Sequence, residues 1–228
     1  MWKCIRCEKE NQDSAEKCAS CGHERTMDYI QYRTLSKVSE TTSVNWKRTA
    51  SIPEGIEKPV LMADEDSTTV FGSKILRKNI REIEFVKVKK EKVPSGAWDV
   101  SEDKKKTIQA WTESTDKGLI LKIGSENGVY ANPNCKSLFS GYSNVKKIEF
   151  NHLFDTSKAI CMEYMFYECR ELEDIDVSRF NTGNVTDMAC MFAFDNKLKK
   201  LDMSQFDTGK VTDMAGMFAD CFVLESLQ

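Results

Sequence analysis

Residues 180–192 read FNTGNVTDMACMF and residues 206–218 read FDTGKVTDMAGMF. Ten of the thirteen positions are identical, and the two stretches lie 26 residues apart. Extended in both directions, LEDIDVSRFNTGNVTDMACMFAFDNK (172–197) aligns with LKKLDMSQFDTGKVTDMAGMFADCFV (198–223), and LESLQ (224–228) begins another copy. A more diverged copy, VKKIEFNHLFDTSKAICMEYMFYECRE (145–171), carries one extra residue early on. The anchors keep step: Phe154, Phe180, Phe206; Met162, Met188, Met214; Phe166, Phe192, Phe218; Leu172, Leu198, Leu224. A fixed period in the twenties with leucine-type anchors predicts a solenoid in which each unit buries its apolar side against its neighbours.

Local chemistry gives each unit a shape. In EDIDVS and KKLDMS, Ile175/Val177 and Leu201/Met203 alternate with Asp174/Asp176 and Lys200/Asp202, the period of a strand with one buried face. Thr182-Gly183 and Thr208-Gly209 follow as turns in which glycine supplies positive φ. In VTDMACMF, Thr186 reads as a helix cap with Asp187 in the first turn. Met188, Met191 and Phe192 then share one helical face, a core stripe rather than a soft-metal surface. The expected fold is α/β, a leucine-rich-repeat-like solenoid of short parallel strands and short helices over 146–228. A β-rich cap over 70–145 is expected before it, with an Asn127-Gly128 hairpin turn and with Trp98 and Trp111 shielding the first repeat. The array reads as cut short at residue 228.

The phrases FDTGKVTDMAGMF and LDMSQF resemble the BspA-like leucine-rich repeat proteins, whose mycoplasma-type repeat occurs in surface proteins. AWDVSE (97–102), LILKIG (119–124), GVYANPN (128–134) and SLFSGYSNVKKIEF (137–150) are similar to the beginning of that repeat domain, so the resemblance spans roughly 70–228. It implies a binding or adhesion protein displayed at a cell surface.

A second signal opens the chain. WKCIRCEKENQDSAEKCASCG (2–22) places Cys4-x2-Cys7 ten residues before Cys18-x2-Cys21. Two such knuckles direct four thiolates at one tetrahedral Zn²⁺, whose binding supplies folding energy that so short a segment lacks. Four protein ligands close the site, so the Zn²⁺ reads as structural and not catalytic. The spacing, with Trp2 and Asn11, is similar to the Ran-binding-protein type zinc finger, which implies RNA or ubiquitin binding, and equally to short zinc ribbons. Residues 1–25 carry five basic and five acidic side chains, so the phosphate attraction behind nucleic-acid affinity is missing. A structural ribbon over 1–25 is the reading kept, followed by a polar linker over 26–69.

Composition excludes several classes. The net charge of −3 gives no general pull toward nucleic acid or anionic membrane, and no apolar run is long enough to span a bilayer. The first residues lack the apolar core of a secretion signal, which points to a cytoplasmic protein. Cys135, Cys161, Cys169, Cys190 and Cys221 are scattered without a disulfide framework and are expected as thiols. Histidine occurs only at positions 23 and 152, without a nucleophile in a recognisable motif. The basic run 87–92 reads as a solvated loop or a guarded edge strand. The expected role is a non-enzymatic protein-binding scaffold. Its partner would meet the outward strand residues Lys147, Glu149, Asp174, Asp176, Lys200 and Asp202. The rivals are a cell-surface adhesin exported by another route and a nucleic-acid-associated protein using the finger with residues 74–92.

Overall fold

The computed structural model describes residues 2–3, 10–11, 58–64 and 68–227. The chain divides into two units, Met1–Thr49 and Ala50–Gln228. In the first, strand β1 (Trp2–Lys3) pairs antiparallel with β2 (Glu10–Asn11), Trp2 opposite Asn11. Cys4, Cys7, Cys18 and Cys21 lie outside the described residues.

In the second unit the most strand-like sequences build one mixed sheet. IREIEFVK forms β3 (Ile80–Lys87), with Ile80, Ile83 and Phe85 buried. Trp98–Asp99 is β4, Gln109–Thr115 is β5 and Gly118–Ser125 is β6. Val129–Tyr130 is β7, Lys147–Glu149 is β8 and Phe154–Asp155 is β9. The five-stranded order is β4-β5-β6-β3-β8, with β3 parallel to both β6 and β8 and the remaining pairs antiparallel. The hairpin joins β5 to β6, not β6 to β7. At Asn127-Gly128 the chain leaves this sheet, and β7 pairs in parallel with β9. Gly128 sits at φ +78° with the Leu153 carbonyl oxygen 2.9 Å from where a Cβ would stand, so both backbone and space require glycine.

The repeated phrase builds something other than helices. Four segments, 134–142, 161–169, 187–195 and 213–221, lie side by side in parallel, bridged at Asn134, Cys161, Asp187 and Asp213. Alternate N–H groups of each segment donate to the next. Met162, Tyr164, Phe166 and Glu168 bond the carbonyls of Asp187, Ala189, Met191 and Ala193 at 2.8–3.0 Å, and Met188, Cys190, Phe192 and Phe194 repeat the pattern one segment on. Between these bonds each segment closes three-residue turns on itself, such as Met165 N–H to Met162 O at 3.2 Å. Left-handed residues recur at fixed places: Ser137, Tyr164, Cys190 and Gly216, then Gly141, Glu168, Phe194 and Asp220, all with φ between +52° and +73°. One left-handed residue inside each phrase is incompatible with an α-helix.

The expected leucine-rich-repeat-like solenoid of parallel strands and helices is therefore not the architecture. Helix among the described residues is limited to 3₁₀ turns at Arg77–Asn79 and Lys90–Lys92. Thr186 caps no helix; its N–H and hydroxyl both bond the Ile160 carbonyl. Of the strands expected in the repeats, β8 joins the mixed sheet, residues 173–178 form none, and Lys200–Leu201 (β10) pairs only with Ser226–Leu227 (β11). Gly183 and Gly209 are not among the positive-φ residues. Their N–H groups instead bond the Asn181 and Asp207 side chains two residues back.

Other expectations shift as well. Residues 58–64, read as linker, are packed: Val60 and Leu61 are buried, and Leu61 N–H donates to Tyr130 O at 2.9 Å. Strand β3, not Trp98 or Trp111, covers β8; the tryptophans stand on β4 and β5 at the far side of the sheet. Beside β3, Arg77 is wholly buried. Its guanidinium pairs with Asp64 at 2.8 Å and donates to the carbonyls of Thr69, Ser137 and Ser140, above the Tyr142 ring. The basic run 87–92 is solvated, but it follows an interior strand rather than an edge.

The phrase's apolar residues still make the core. Phe139, Phe166, Phe192 and Phe218 form a column with successive ring centroids 5.6, 5.3 and 6.0 Å apart and nearly parallel planes. The first three are fully buried and Phe218 half so. Phe192→Ala removes a ring covered on both sides and should cost about 3–5 kcal/mol, in the usual range for buried Phe→Ala. Phe218→Ala, covered on one side, should cost roughly half as much by the same rule. Denaturant unfolding of the two variants checks this order; equal losses would contradict the one-sided cover of Phe218.

Candidate functional site

The alternation read in the repeats does set side chains apart. Lys147, Asp174, Asp176, Lys200 and Asp202 are exposed and Glu149 is half-buried, while Ile148, Ile175, Val177 and Leu201 turn inward. Four of the six expected recognition residues, Lys147, Glu149, Asp174 and Asp176, line one groove of about 620 Å³. Lys200 and Asp202 do not, because β10 lies beyond the groove beside β11.

The groove runs between β8 and residues 173–180. Its floor is apolar, made of Ile148, Phe150, Phe154, Ile175 and Phe180. Its rims carry five carboxylates (Glu82, Glu149, Glu173, Asp174, Asp176) and three cations (Lys146, Lys147, Arg179), with His152 at the bend. Lys147 and Glu149 pair at 2.5 Å, and this hydrogen bond raises the ammonium pKa. Asp176 is held below the usual carboxylate range by the Ser178 hydroxyl and N–H, which donate to Oδ1 at 2.6 and 3.0 Å. Asp202 is lowered likewise by Ser204. Both aspartates thus brace turns as well as facing solvent.

Reading the sequence missed Glu82, Glu173, Arg179 and Lys146. Glu82 enters because β3 pairs with β8, Glu82 opposite Lys147, and nothing local in the sequence announces that pairing. Glu173 carried a usable signal: it is the repeat equivalent of Lys199, and the two approach to 3.7 Å.

Two further clusters lie in the ladder. Cys161, Glu163 and Asp187 place their ligand atoms within 4.8 Å of one another. The two carboxylates are engaged without an ion: Glu163 pairs with Lys136 at 2.5 Å, and Asp187 Oδ1 accepts the Ala189 N–H at 2.9 Å. Burial pushes the Cys161 thiol up to about 12 and the Asp187 carboxyl to about 6, so the thiol is no nucleophile at neutral pH.

The second cluster is a column one ladder position wide, Cys169, Asp195 and Cys221. Asp195 is fully buried; its Oδ1 accepts the Cys169 N–H at 2.8 Å and its Oδ2 has no hydrogen-bond partner. Burial raises its carboxyl well above the ordinary value. The five cysteines from Cys135 onward are all thiols, four of them buried, and those at 169 and 221 donate to the carbonyls of Phe139 and Phe192.

Residues 133–227 match the model of DUF285, a family described as a Mycoplasma protein of unknown function. The match begins where the first ladder segment begins and covers the phrases that resemble the mycoplasma-type repeat. No curated protein and no solved structure matches the chain.

The buried carboxyl of Asp195 makes stability depend on pH. A pKa raised on folding contributes stability at pH below the unfolded value of about 3.9, and that contribution is lost as pH rises toward the folded value. Asp195→Asn keeps the acceptor for Cys169 and removes the ionisation. Its Tm relative to the parent should climb between pH 4 and pH 8, by about 2–4 °C per kcal/mol recovered. A pH-independent difference between the two melting curves would show that Asp195 does not titrate on unfolding.

Proposed function

We propose that the chain is a non-enzymatic protein-binding module whose groove receives an extended, basic segment of a partner protein. The observation that carries this reading is the groove's construction: an apolar floor bounded by rims on which carboxylates outnumber cations. An extended segment places alternate side chains on opposite sides. Its apolar residues can meet Ile148, Phe150 and Ile175 while its lysines or arginines meet Glu82, Asp174 and Asp176. Charge on the rims steers and orients such a partner, and the floor supplies the desolvated area that holds it. The match to a Mycoplasma family of unknown function leaves the role open.

A labelled peptide alternating lysine with valine tests the reading. Asp174→Lys, at an exposed position, should weaken peptide binding roughly tenfold, about 1.4 kcal/mol, with an unchanged Tm and a flatter salt dependence. Asp176 and Asp202 suit the experiment less well because each braces a turn. Equal affinity of parent and Asp174→Lys would remove the groove from consideration.

The quartet Cys4, Cys7, Cys18 and Cys21 is proposed to hold a structural Zn²⁺, on the strength of its knuckle spacing and four-thiolate donor set. Elemental analysis of the purified chain should give one zinc per molecule, lost on Cys7→Ser. Zinc-free protein with oxidised thiols at these four positions would replace the ribbon by two disulfides.

A further inference from the structure

The ladder brings equivalent positions of successive segments side by side, and at one of its rungs the residues change character. Asn134, Cys161, Asp187 and Asp213 are the bridged positions of the four segments. Two residues further along each segment stand Lys136, Glu163, Ala189 and Ala215. Neighbouring chains paired in this way lie about 4.8 Å apart, so side chains of adjacent segments meet across each bridge. Between the second and third segments, and nowhere else among the described residues, this brings three metal-ligating groups together. The Cys161 Sγ and carboxylate oxygens of Glu163 and Asp187 lie within 4.8 Å of one another.

The thiol itself is out of step with its relatives. Cys135, Cys169, Cys190 and Cys221 each donate to a backbone carbonyl, at 3.0, 3.1, 3.6 and 3.0 Å. Cys161 is only 6% exposed, yet its S–H has no acceptor among the described residues. Its sulfur instead accepts the Glu163 N–H. An N–H aimed at sulfur favours the thiolate, which is the form that binds metal. Asp187 uses Oδ1 to hold the Ala189 N–H, which leaves Oδ2 to face the sulfur.

One sulfur and two carboxylates suit a borderline-soft cation. Mg²⁺ and Ca²⁺ take oxygen ligands, whereas thiolate selects Zn²⁺ and softer ions. Tetrahedral Zn²⁺ sets such ligand atoms about 3.4–3.6 Å apart, so the triad closes by roughly 1 Å on binding. Glu163, long and partly open to solvent, has the rotatable bonds to make that movement. The charge is right as well: Lys136 Nζ already lies 2.5 Å from Glu163 Oε2, and Asp213 adds a further carboxylate one segment on from Asp187.

We propose that Cys161, Glu163 and Asp187 form a Zn²⁺ site in the ladder, with water as the fourth ligand. Binding releases the Cys161 thiol proton to solvent and frees Lys136 from Glu163. With one thiolate and a competing ammonium the ion is exchangeable: it is lost on purification and returns in added Zn²⁺. The site is separate from the groove and from the four N-terminal cysteines.

Calorimetric titration of the purified full chain with Zn²⁺ tests it. One equivalent should bind beyond the metal the purified chain retains. Cys161→Ser should weaken that equivalent roughly tenfold or more, and Asp187→Asn, which keeps the acceptor for Ala189, should do the same. Glu163→Gln, on a partly open side chain, should match them without changing the Tm of the chain before Zn²⁺ is added, and decides the matter if Cys161→Ser fails to fold. Lys136→Ala should tighten binding by removing the competing cation. The N-terminal cysteines are the same in all these chains, so every difference between them belongs to the ladder. No additional equivalent in the parent would overturn the site. An additional equivalent that survives both Cys161→Ser and Glu163→Gln, or that ignores Lys136→Ala, would place the ion elsewhere. Its displacement by about a hundredfold excess of Mg²⁺ would overturn ligation by sulfur.

Discussion

The structure depends on one constraint: each segment of the repeat bonds the next, N–H to carbonyl, at every second residue. Three such interfaces of four bonds each, all 2.8–3.0 Å long, run from Cys135 to Ala219. A hydrogen bond left unmade in the interior costs about as much as several made ones return, so the register cannot slip by a residue without orphaning a whole interface. That is why the period is rigid at 26 through the last two interfaces. The extra residue of the first copy is absorbed elsewhere, at Asn151-His152, where both residues are left-handed, outside the bridged positions. Left-handed residues of any type other than glycine carry a conformational cost, and here it is borne at Tyr164, Glu168, Cys190, Phe194 and Asp220. The phrase accepts this strain because the alternative, a continuous helix, would satisfy its own backbone and leave nothing to join one segment to the next.

At the ladder's acceptor end Arg77 takes one place that a further segment would otherwise fill, the Ser140 carbonyl. Its planar fork offers several donors from one position, enough to reach Ser137 O, Ser140 O and Thr69 O while pairing with Asp64. The same carboxylate accepts the Phe71 N–H at 2.7 Å. Removing either partner of a buried pair leaves an uncompensated charge, so residues 64 and 77 tie the segment before the sheet to the first ladder segment as a unit.

Much of this was legible in the sequence, and the failures have a common cause. In the first two copies the anchor residues are the core: Met162, Phe166, Met188 and Phe192 are all fully buried. What periodicity could not distinguish was a helix from a run of three-residue turns, since both put i, i+3 and i+4 on one side. Cys190, between those anchors, carries no sign in its side chain that it sits at φ +52°; Gly216 at the equivalent position was the one local hint. The first segment hid for a similar reason. Cys135, Leu138, Phe139, Tyr142 and Val145 keep the spacing of Met162, Met165, Phe166, Cys169 and Leu172, but without the Thr-Gly and Thr-Asp punctuation that marks the later copies. Of the groove, the outward residues of 147–149 and 174–176 followed from alternation, while Glu82, the one lining residue from β3, came from long-range parallel pairing that no local pattern encodes.

The groove follows from how the repeat uses its polar groups. Along the ladder, backbone donors and acceptors are consumed between segments, and side chains such as Phe166 and Met188 are consumed by the core. Charged side chains face out in the stretches between ladder segments, at 147–149 and 173–176, where Ile148 and Ile175 alone turn inward. These stretches carry charge over an apolar floor because their outward residues are free to vary while Ile148 and Ile175 are held by packing. An outward residue such as Asp174 can therefore be exchanged without disturbing the register that folds the repeat, whereas a change at Phe166 or Met188 strikes the core itself.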